Sequence, residues 1–340
     1  MKKTLLGKNL QQLQEVAREF GLPAFTGKQL ADWLYKKKVT DLSQMTNLSK
    51  AARERMKEAG YEVGRTDWSL VTESTDGTKK YLFGGVEAVM IPDEDRYTLC
   101  VSSQKGCKMS CRFCMTGRQG FHGHLTAAEI LSQYMGVEES DRLTNTVFMG
   151  MGEPLDNYPE VLRTIEVLTA DWGFGWSPKR ITLSTIGVLP ALKRYLEETR
   201  CHLAVSLHNP FDEERRALMP VQKAFPIQEV VDLIRQYDFT GQRRVSFEYI
   251  LFDGVNDTKR HADALLRMLR GLECRINLIR FHKIPDSDLS PTPMERILWF
   301  QKRLNEGGIV TTLRASRGED ILAACGMLAG RTRGEQPKNE

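Results

Sequence analysis

Three cysteines lie close together in the sequence at spacings that suit the binding of iron. Cys107, Cys111 and Cys114 form a C-x3-C-x2-C pattern within one short segment. Three thiolates on one loop can hold three irons of a [4Fe–4S] cluster, and the fourth iron can then bind a substrate directly. A structural zinc site is the alternative. Zinc usually takes four protein ligands, so His122 or His124 would have to supply the fourth.

The other four cysteines are Cys100, Cys201, Cys274 and Cys325. The total of seven is odd, and no signal peptide is evident at the start of the chain, so a framework of disulfides is disfavoured. Free cysteines are often small buried apolar residues. Judged by residue type alone, that is the interpretation of all four.

From about residue 97 onward, strand-like segments alternate with helical segments. This alternation favours parallel strands joined by right-handed crossovers, and hence an α/β fold. Six units are too few for a closed eight-stranded barrel, so we predict an open or partial barrel with one further edge strand at 310–314. The predicted strands are 98–102, 146–151, 180–185, 202–207, 245–251 and 276–281, and the predicted helices between them are 126–138, 159–169, 188–199, 227–236 and 258–270.

The remaining regions of the chain differ in their hydrophobic and turn patterns, which predict separate domains. Apolar residues at helical spacing predict a helical accessory domain over residues 1–62. Short strands separated by glycine turns predict a small β connection over 63–92. The barrel would occupy 93–320, and a C-terminal segment at 321–340 carries Cys325.

Polar groups follow several predicted strands at the point where each strand ends. Because sites of parallel α/β folds lie at the carboxyl ends of the strands, these groups should converge. Each of these groups alone is more often a strand-end cap. They are Gly152 and Glu153 after the second strand, Ser184 at the third, Ser206, Leu207 and His208 at the fourth, and His282 after the sixth.

The composition is that of an ordinary globular protein. Of 340 residues, 41% are hydrophobic and 27% charged, which excludes collagen-like and wholly disordered chains. No apolar run approaches the ~20 residues that span a bilayer, so we expect a cytoplasmic protein without a membrane segment. The net charge is only +4. Basic residues are in excess in residues 1–60, which indicates either a polyanionic partner or an ordinary solvated helical surface.

Taken together, the cysteine pattern with Phe113 before its last member resembles the signature of the radical S-adenosylmethionine (SAM) superfamily. The resemblance implies a partial (β/α)6 barrel, a [4Fe–4S] cluster on the three cysteines, and SAM bound at the open iron. Gly152-Glu153-Pro154 resembles the family element that receives the SAM amino group. Ser184, Ser206, Leu207, His208 and His282 would be further SAM contacts. Many members have an Asn-Pro pair where this chain has His282 and Lys283, so the contact at that position departs from the family pattern.

Further segments narrow the resemblance to one family, the RlmN-type radical SAM methyltransferases that modify adenosine at C2 in 23S rRNA and tRNA. Those segments include the residues around Cys100, the Phe148–Pro154 run and Ala324-Cys325-Gly326. The resemblance implies that Cys325 is methylated by one SAM and that a second SAM yields a radical that activates this S-methyl group. After the carbon has added to C2, Glu87 would accept the proton. Cys100 would then release the product and leave a Cys100–Cys325 disulfide.

The same resemblance implies the partners and leaves alternatives. We expect 23S rRNA and tRNA as substrates, an electron donor such as flavodoxin or a similar reductase system, and a monomeric enzyme. The Cfr-type adenosine-C8 methyltransferase shares the cluster and both extra cysteines, although the segments at 86–92 and 119–121 favour the C2 type. A non-enzymatic iron–sulfur or zinc RNA-binding module is the third possibility. The strand-end motifs argue against it.

Overall fold

The computed structural model describes residues 2–239, 241 and 243–329. Its central feature is a ten-stranded sheet that combines a parallel region with an antiparallel extension. Seven strands are parallel to their neighbours and follow one another in chain order. They are β6 (Arg96–Cys100), β9 (Asn145–Phe148), β10 (Ile181–Thr185), β11 (His202–Ser206), β12 (Val245–Leu251), β13 (Arg275–Arg280) and β14 (Val310–Leu313).

Helices connect these parallel strands. Between β6 and β9 lie α4 (Met115–Arg118) and α5 (Ala127–Gly136), and the later crossovers contain α6 (Tyr158–Thr169) and α7 (Leu189–Glu198). Next come α8 (Asp212–Leu218), α9 (Ile227–Ile234), α10 (Lys259–Met268) and α11 (Met294–Glu306). The α/β prediction is confirmed. The sheet stays open, with β14 at one edge, as the count of six units predicted.

The segment predicted as a small β connection continues the same sheet. It contains β3 (Leu70–Glu73), β4 (Lys79–Phe83) and β5 (Val86–Asp93), which pair antiparallel, and β5 pairs antiparallel with β6. This extension places β5 directly beside β6, the first strand of the parallel region. The domain boundaries proposed from the sequence stay a prediction, and residues 330–340 of the predicted C-terminal segment lie outside the described residues.

The N-terminal region is helical, as predicted. It contains α1 (Leu10–Glu19), α2 (Thr26–Ala31), a π-helical turn over 32–36 and α3 (Lys50–Glu58). Two short parallel strands, β1 (Lys3–Thr4) and β2 (Tyr61–Glu62), close this region. Its buried apolar residues belong to the same continuous core as those of the parallel sheet. No helix among the described residues is long and apolar enough to span a bilayer.

Candidate active site

The three signature cysteines lie around one cavity at the carboxyl end of the parallel strands. This cavity has a volume of ≈ 790 Å³, including some open solvent, and we call it the cluster cavity. Four strand-end polar residues predicted from the sequence line it too, together with Gly152. Those four residues are Glu153, Ser184, Ser206 and His208. The expected convergence of strand-end groups is therefore present.

The loop that carries the cysteines is held by a hairpin. Strands β7 (Gln104–Gly106) and β8 (Phe121–His124) flank it, and the backbone N–H of Cys107 donates to the Gly120 carbonyl at 2.8 Å. At Gly106, φ is +74° and a Cβ would lie 1.9 Å from the Gly120 carbonyl oxygen. Only glycine therefore fits immediately before the first cysteine.

The donor set fits an iron–sulfur cluster. The three cysteines are free thiols, and burial raises the pKa of Cys107 to about 12, so a bound cation is needed to favour the thiolate. Among the described residues, no three His, Cys, Asp or Glu side chains are placed to hold a single metal ion. His122, one of the two residues considered for zinc, lines a different cavity. A multi-iron cluster suits the arrangement because its thiolates bind different irons.

Glu153 is buried and its carboxylate is already well bonded. Oε1 accepts hydrogen bonds from the Leu155 N–H at 3.0 Å and the Thr185 hydroxyl at 2.7 Å, and Oε2 accepts one from the Ile186 N–H at 3.0 Å. Burial raises its pKa to about 7 against the effect of these bonds. The carboxylate thus fastens the turn after β9 to the end of β10. An ammonium group in the cavity could bind the remaining lone pairs of this carboxylate.

His208 is buried with a backbone φ of +54° at the end of β11. Its Nδ1 accepts a hydrogen bond from the Ile250 N–H at 3.0 Å, and its ring meets Phe113 edge-on. Burial, together with the charge of Arg215, lowers its pKa to about 3. The imidazole is therefore neutral, with its second nitrogen available as a donor toward the cavity.

Two predicted SAM contacts lie elsewhere. Leu207 is buried and does not line the cluster cavity. His282 also lies off the cavity, where Nε2 contacts the Ser316 hydroxyl at 2.9 Å and Nδ1 faces Glu319 at 3.0 Å. The departure from the family motif thus coincides with a side chain that is engaged in other contacts.

Cys325 lies between the cluster cavity and a second cavity of ≈ 550 Å³ that also contains Cys100. Cys325 is exposed, whereas Cys100, the last residue of β6, is buried. Burial raises the pKa of Cys100 to about 12, the nearby Cys325 adds to this, and Arg314 opposes it. Both cysteines are free thiols, so the disulfide expected after turnover stays a prediction.

The segment that carries Cys325 is fastened to the helix that follows the cysteine loop. The Met115 N–H donates to the Gly326 carbonyl at 2.8 Å, and the Thr116 hydroxyl donates to the Leu328 carbonyl at 2.8 Å. Gln119 donates to the Ala329 carbonyl at 2.6 Å. Because α4 starts directly after Cys114, the element that holds the third cluster cysteine also fixes the Cys325 segment.

Glu87 lies on β5, close to the same segment. Its Oε2 accepts a hydrogen bond from the Ala329 N–H at 2.7 Å, and its Oε1 pairs with Lys80 at 3.0 Å. The side chain is almost fully buried, with the residue 3% exposed. The antiparallel extension therefore brings a carboxylate to Ala329, four residues after Cys325, although Glu87 lines neither the cluster cavity nor the Cys100 cavity. The sequence suggested a role for Glu87 only through the family resemblance.

Sequence reasoning missed Arg314 and Glu248. Both line the cluster cavity and form an ion pair at 3.3 Å, and Arg314 also lines the Cys100 cavity. The position of Arg314, directly after the last strand, was the available signal, because charged groups at strand ends tend to belong to the site. Its charge favours thiolate formation at Cys100.

Comparison with known proteins gives matches over nearly the whole chain. Residues 101–266 match the model of the radical SAM superfamily, and residues 3–61 match that of the ribosomal RNA large subunit methyltransferase N-terminal domain. A probable dual-specificity RNA methyltransferase RlmN from Porphyromonas gingivalis is 61% identical over 330 residues, covering 96% of each chain. The dual-specificity RNA methyltransferase RlmN of Marinobacter nauticus is 43% identical, covering 97% of this chain and 93% of its own. A crystal structure of a radical SAM methyltransferase from Sphaerobacter thermophilus superposes with a TM-score of 0.90 at 37% identity, covering 96% of this chain and 99% of its own.

Proposed function

The chain belongs to the RlmN family of radical SAM RNA methyltransferases, and from this premise we propose that it methylates C2 of adenosine in 23S rRNA and tRNA through a methyl group carried on Cys325. Two SAM molecules would be used in each turnover. The observation that carries the proposal is that Cys325 lines both the cluster cavity and the Cys100 cavity. A residue that carries the methyl carbon needs access to both cavities. Its sulfur must receive the carbon in one cavity and be attacked by a second thiol in the other.

The need for a radical follows from the chemistry of the substrate. C2 of adenine lies between two ring nitrogens and has no lone pair with which to displace a methyl group from SAM. Cys107, Cys111 and Cys114 would hold the cluster, and the strand-end groups around Glu153 and Ser206 would hold SAM. When bound there, these cofactors supply the methyl group and the radical that activates it.

The chain's own residues account for the remaining steps. The Cys325 thiolate takes the methyl group by displacement, and its S-methyl group later loses a hydrogen atom. The resulting carbon forms a bond to C2, which joins the RNA to the protein. Glu87 accepts the C2 proton. The adduct also gives up its unpaired electron, for which the oxidised cluster held by the three cysteines would be the acceptor. The Cys100 thiolate then bonds to the Cys325 sulfur as the S–C bond breaks, and the released carbon takes up a proton to become the methyl group. The disulfide that remains must be reduced.

Nucleoside mass spectrometry tests this function directly. The protein, reconstituted without oxygen, receives SAM, a reductant and an unmodified 23S rRNA fragment, and the digested RNA is analysed. We expect 2-methyladenosine. Detection of 8-methyladenosine would instead assign the Cfr-type activity. Cleavage of SAM without any methylated nucleoside would exclude this RNA as the substrate.

Replacing Glu87 with glutamine should slow RNA methylation by about 100-fold or more, the usual contribution of a general base. Glutamine keeps an acceptor for the Ala329 N–H but cannot take a proton at neutral pH. Iron content and SAM cleavage should be unchanged, and Glu94→Gln, at an exposed position in the turn between β5 and β6, serves as the control. Methylation by Glu87→Gln at the wild-type rate would exclude this role.

The basic N-terminal helices are the candidate RNA-binding surface. Because they share a core with the sheet, point variants test this better than truncation. Replacing the exposed Lys28, Lys36 and Lys50 together by glutamine should weaken RNA binding and lower the salt dependence of log K by roughly 2, since each phosphate contact contributes about 0.7–0.9. The same changes at the exposed Lys193, Lys259 and Lys302 are the control. Equal loss in both triple variants would exclude a specific role for the N-terminal helices.

An electron donor such as flavodoxin, a monomeric state and a cytoplasmic location stay our predictions. Modification of rRNA and tRNA supports the cytoplasm, where those RNAs are processed. Size-exclusion chromatography with light scattering would test the oligomeric state.

A further inference from the structure

Arg215 on α8 is a fully buried side chain, with an exposed fraction of 0%. Burying a guanidinium is costly unless its donors and its charge are satisfied. No role for Arg215 was predicted from the sequence. It lies directly behind the strand ends that line the cluster cavity.

Its hydrogen bonds connect two of those strand ends. Nε donates to the Leu207 carbonyl at 2.9 Å, and Nη2 donates to the carbonyls of Ser206 at 2.9 Å and Ile186 at 3.2 Å. Nη1 donates to the side-chain oxygen of Gln222. Arg215 therefore fixes the end of β10 relative to the end of β11.

Its charge has no direct counter-ion. Among the described residues, no carboxylate forms an ion pair with Arg215, and Asp212 is reached only through Gln222, whose Nε2 donates to Asp212 at 2.7 Å. Burial lowers the pKa of Arg215 to about 10, so the guanidinium is still protonated at neutral pH. A positive charge is thus held in a dry part of the fold.

The cysteine loop lies against the same helix. The Arg112 N–H, next to Cys111, donates to the Leu218 carbonyl at the end of α8 at 3.0 Å. Cys111 and Leu218 pack in one apolar cluster with Ile186, whose carbonyl Arg215 binds. The buried charge therefore lies on the helix that packs against the loop carrying Cys111, one of the three proposed cluster ligands.

We propose that Arg215 is a positioning residue that makes the iron–sulfur cluster easier to reduce and at the same time holds the SAM-binding strand ends in place. The inference rests on the proposed ligation by the three cysteines. Reduction transfers one electron from an external one-electron donor to the cluster, which gains one negative charge. A buried cation stabilises the more negative state, and the low local dielectric prevents water from screening the effect.

The test is a redox titration of the reconstituted cluster, monitored by electron paramagnetic resonance with dithionite as reductant. In Arg215→Met, the equilibrium constant for reduction should fall about tenfold, which is 59 mV for a one-electron couple. Arg215→Lys keeps the charge but loses the planar fork, so it should keep a potential close to wild type while SAM binding weakens about tenfold. Arg216→Met, at the exposed neighbouring position, should change neither property.

A second variant keeps Arg215 itself, so its result does not depend on whether the protein folds without that side chain. Asp212→Asn/Gln222→Glu moves the negative charge from position 212 to position 222, which leaves the total charge unchanged but brings a carboxylate into direct contact with Arg215. The potential should fall in the same direction as in Arg215→Met. An unchanged potential in this double variant, or equal potentials in Arg215→Lys and Arg215→Met, would overturn the inference. A wild-type protein that binds no cluster would refute the ligation proposal instead.

Discussion

Replacing Cys107 with alanine is expected to abolish both cluster assembly and SAM cleavage. The three cysteines are the only thiols around the cluster cavity among the described residues apart from Cys325, which the mechanism uses for another purpose. A cluster with two protein ligands would lack a thiolate on one further iron and would be open to loss. We expect iron content and the brown absorbance to fall to background, and 5′-deoxyadenosine formation to fall by at least about 1,000-fold.

The control for this prediction is Cys201→Ala. Cys201 is buried, directly precedes β11 and lines neither cavity, so its loss removes a thiol without touching the site. Iron content and SAM cleavage should match wild type. If Cys107→Ala retained a full cluster, the assignment of the three ligands would be wrong. Circular dichroism of both variants separates loss of the cluster from loss of the fold.

The parallel part of the fold was predictable because each strand is a short apolar run followed by a helical segment. All six predicted strands overlap strands of the structure, and the seventh, at 310–314, is the edge strand β14. The antiparallel strands β3 to β5 were recognised as strands but not as part of the same sheet. Their partner β6 is adjacent in space through tertiary pairing, which local patterns do not encode.

The site was predicted to different extents for different residues. Glu153, Ser184, Ser206 and His208 follow strands, so a general rule about parallel sheets located them. His282 also follows a strand, yet its side chain turns to Ser316 and Glu319 in the later segment. The rule gives the end of a strand but not the rotamer at that end.

Arg215 shows a further limit. In the sequence it lies in a run of charged residues, Asp212–Arg216, that is typical of an exposed helix. Three of its four hydrogen-bond partners are backbone carbonyls, which have no side-chain signature in the sequence. Adjacent Arg216 is exposed and pairs with Glu213. Only the direction of each side chain from α8 distinguishes the two arginines.

Replacing Cys100 with alanine should stop the reaction after the carbon–carbon bond has formed. The mechanism needs a second thiol to bond to the Cys325 sulfur. Among the described thiols that share a cavity with Cys325, Cys100 is the one that is not a proposed cluster ligand. Without that thiol, the RNA stays joined to Cys325. We expect a protein–RNA adduct on a denaturing gel, with a mass equal to the two components linked through one carbon, and turnover reduced by at least about 1,000-fold.

Cys274→Ala is the matched control, because Cys274 lies outside both cavities and its loss should leave turnover intact with no adduct. The double variant Cys100→Ala/Cys325→Ala tests whether the adduct is attached through Cys325. If the adduct forms through Cys325, this variant cannot form it, although its cluster and SAM cleavage should persist. Free methylated RNA released by Cys100→Ala at the wild-type rate would mean that another group resolves the linkage. Because Arg314 lies beside both thiols, Arg314→Met should slow this release step.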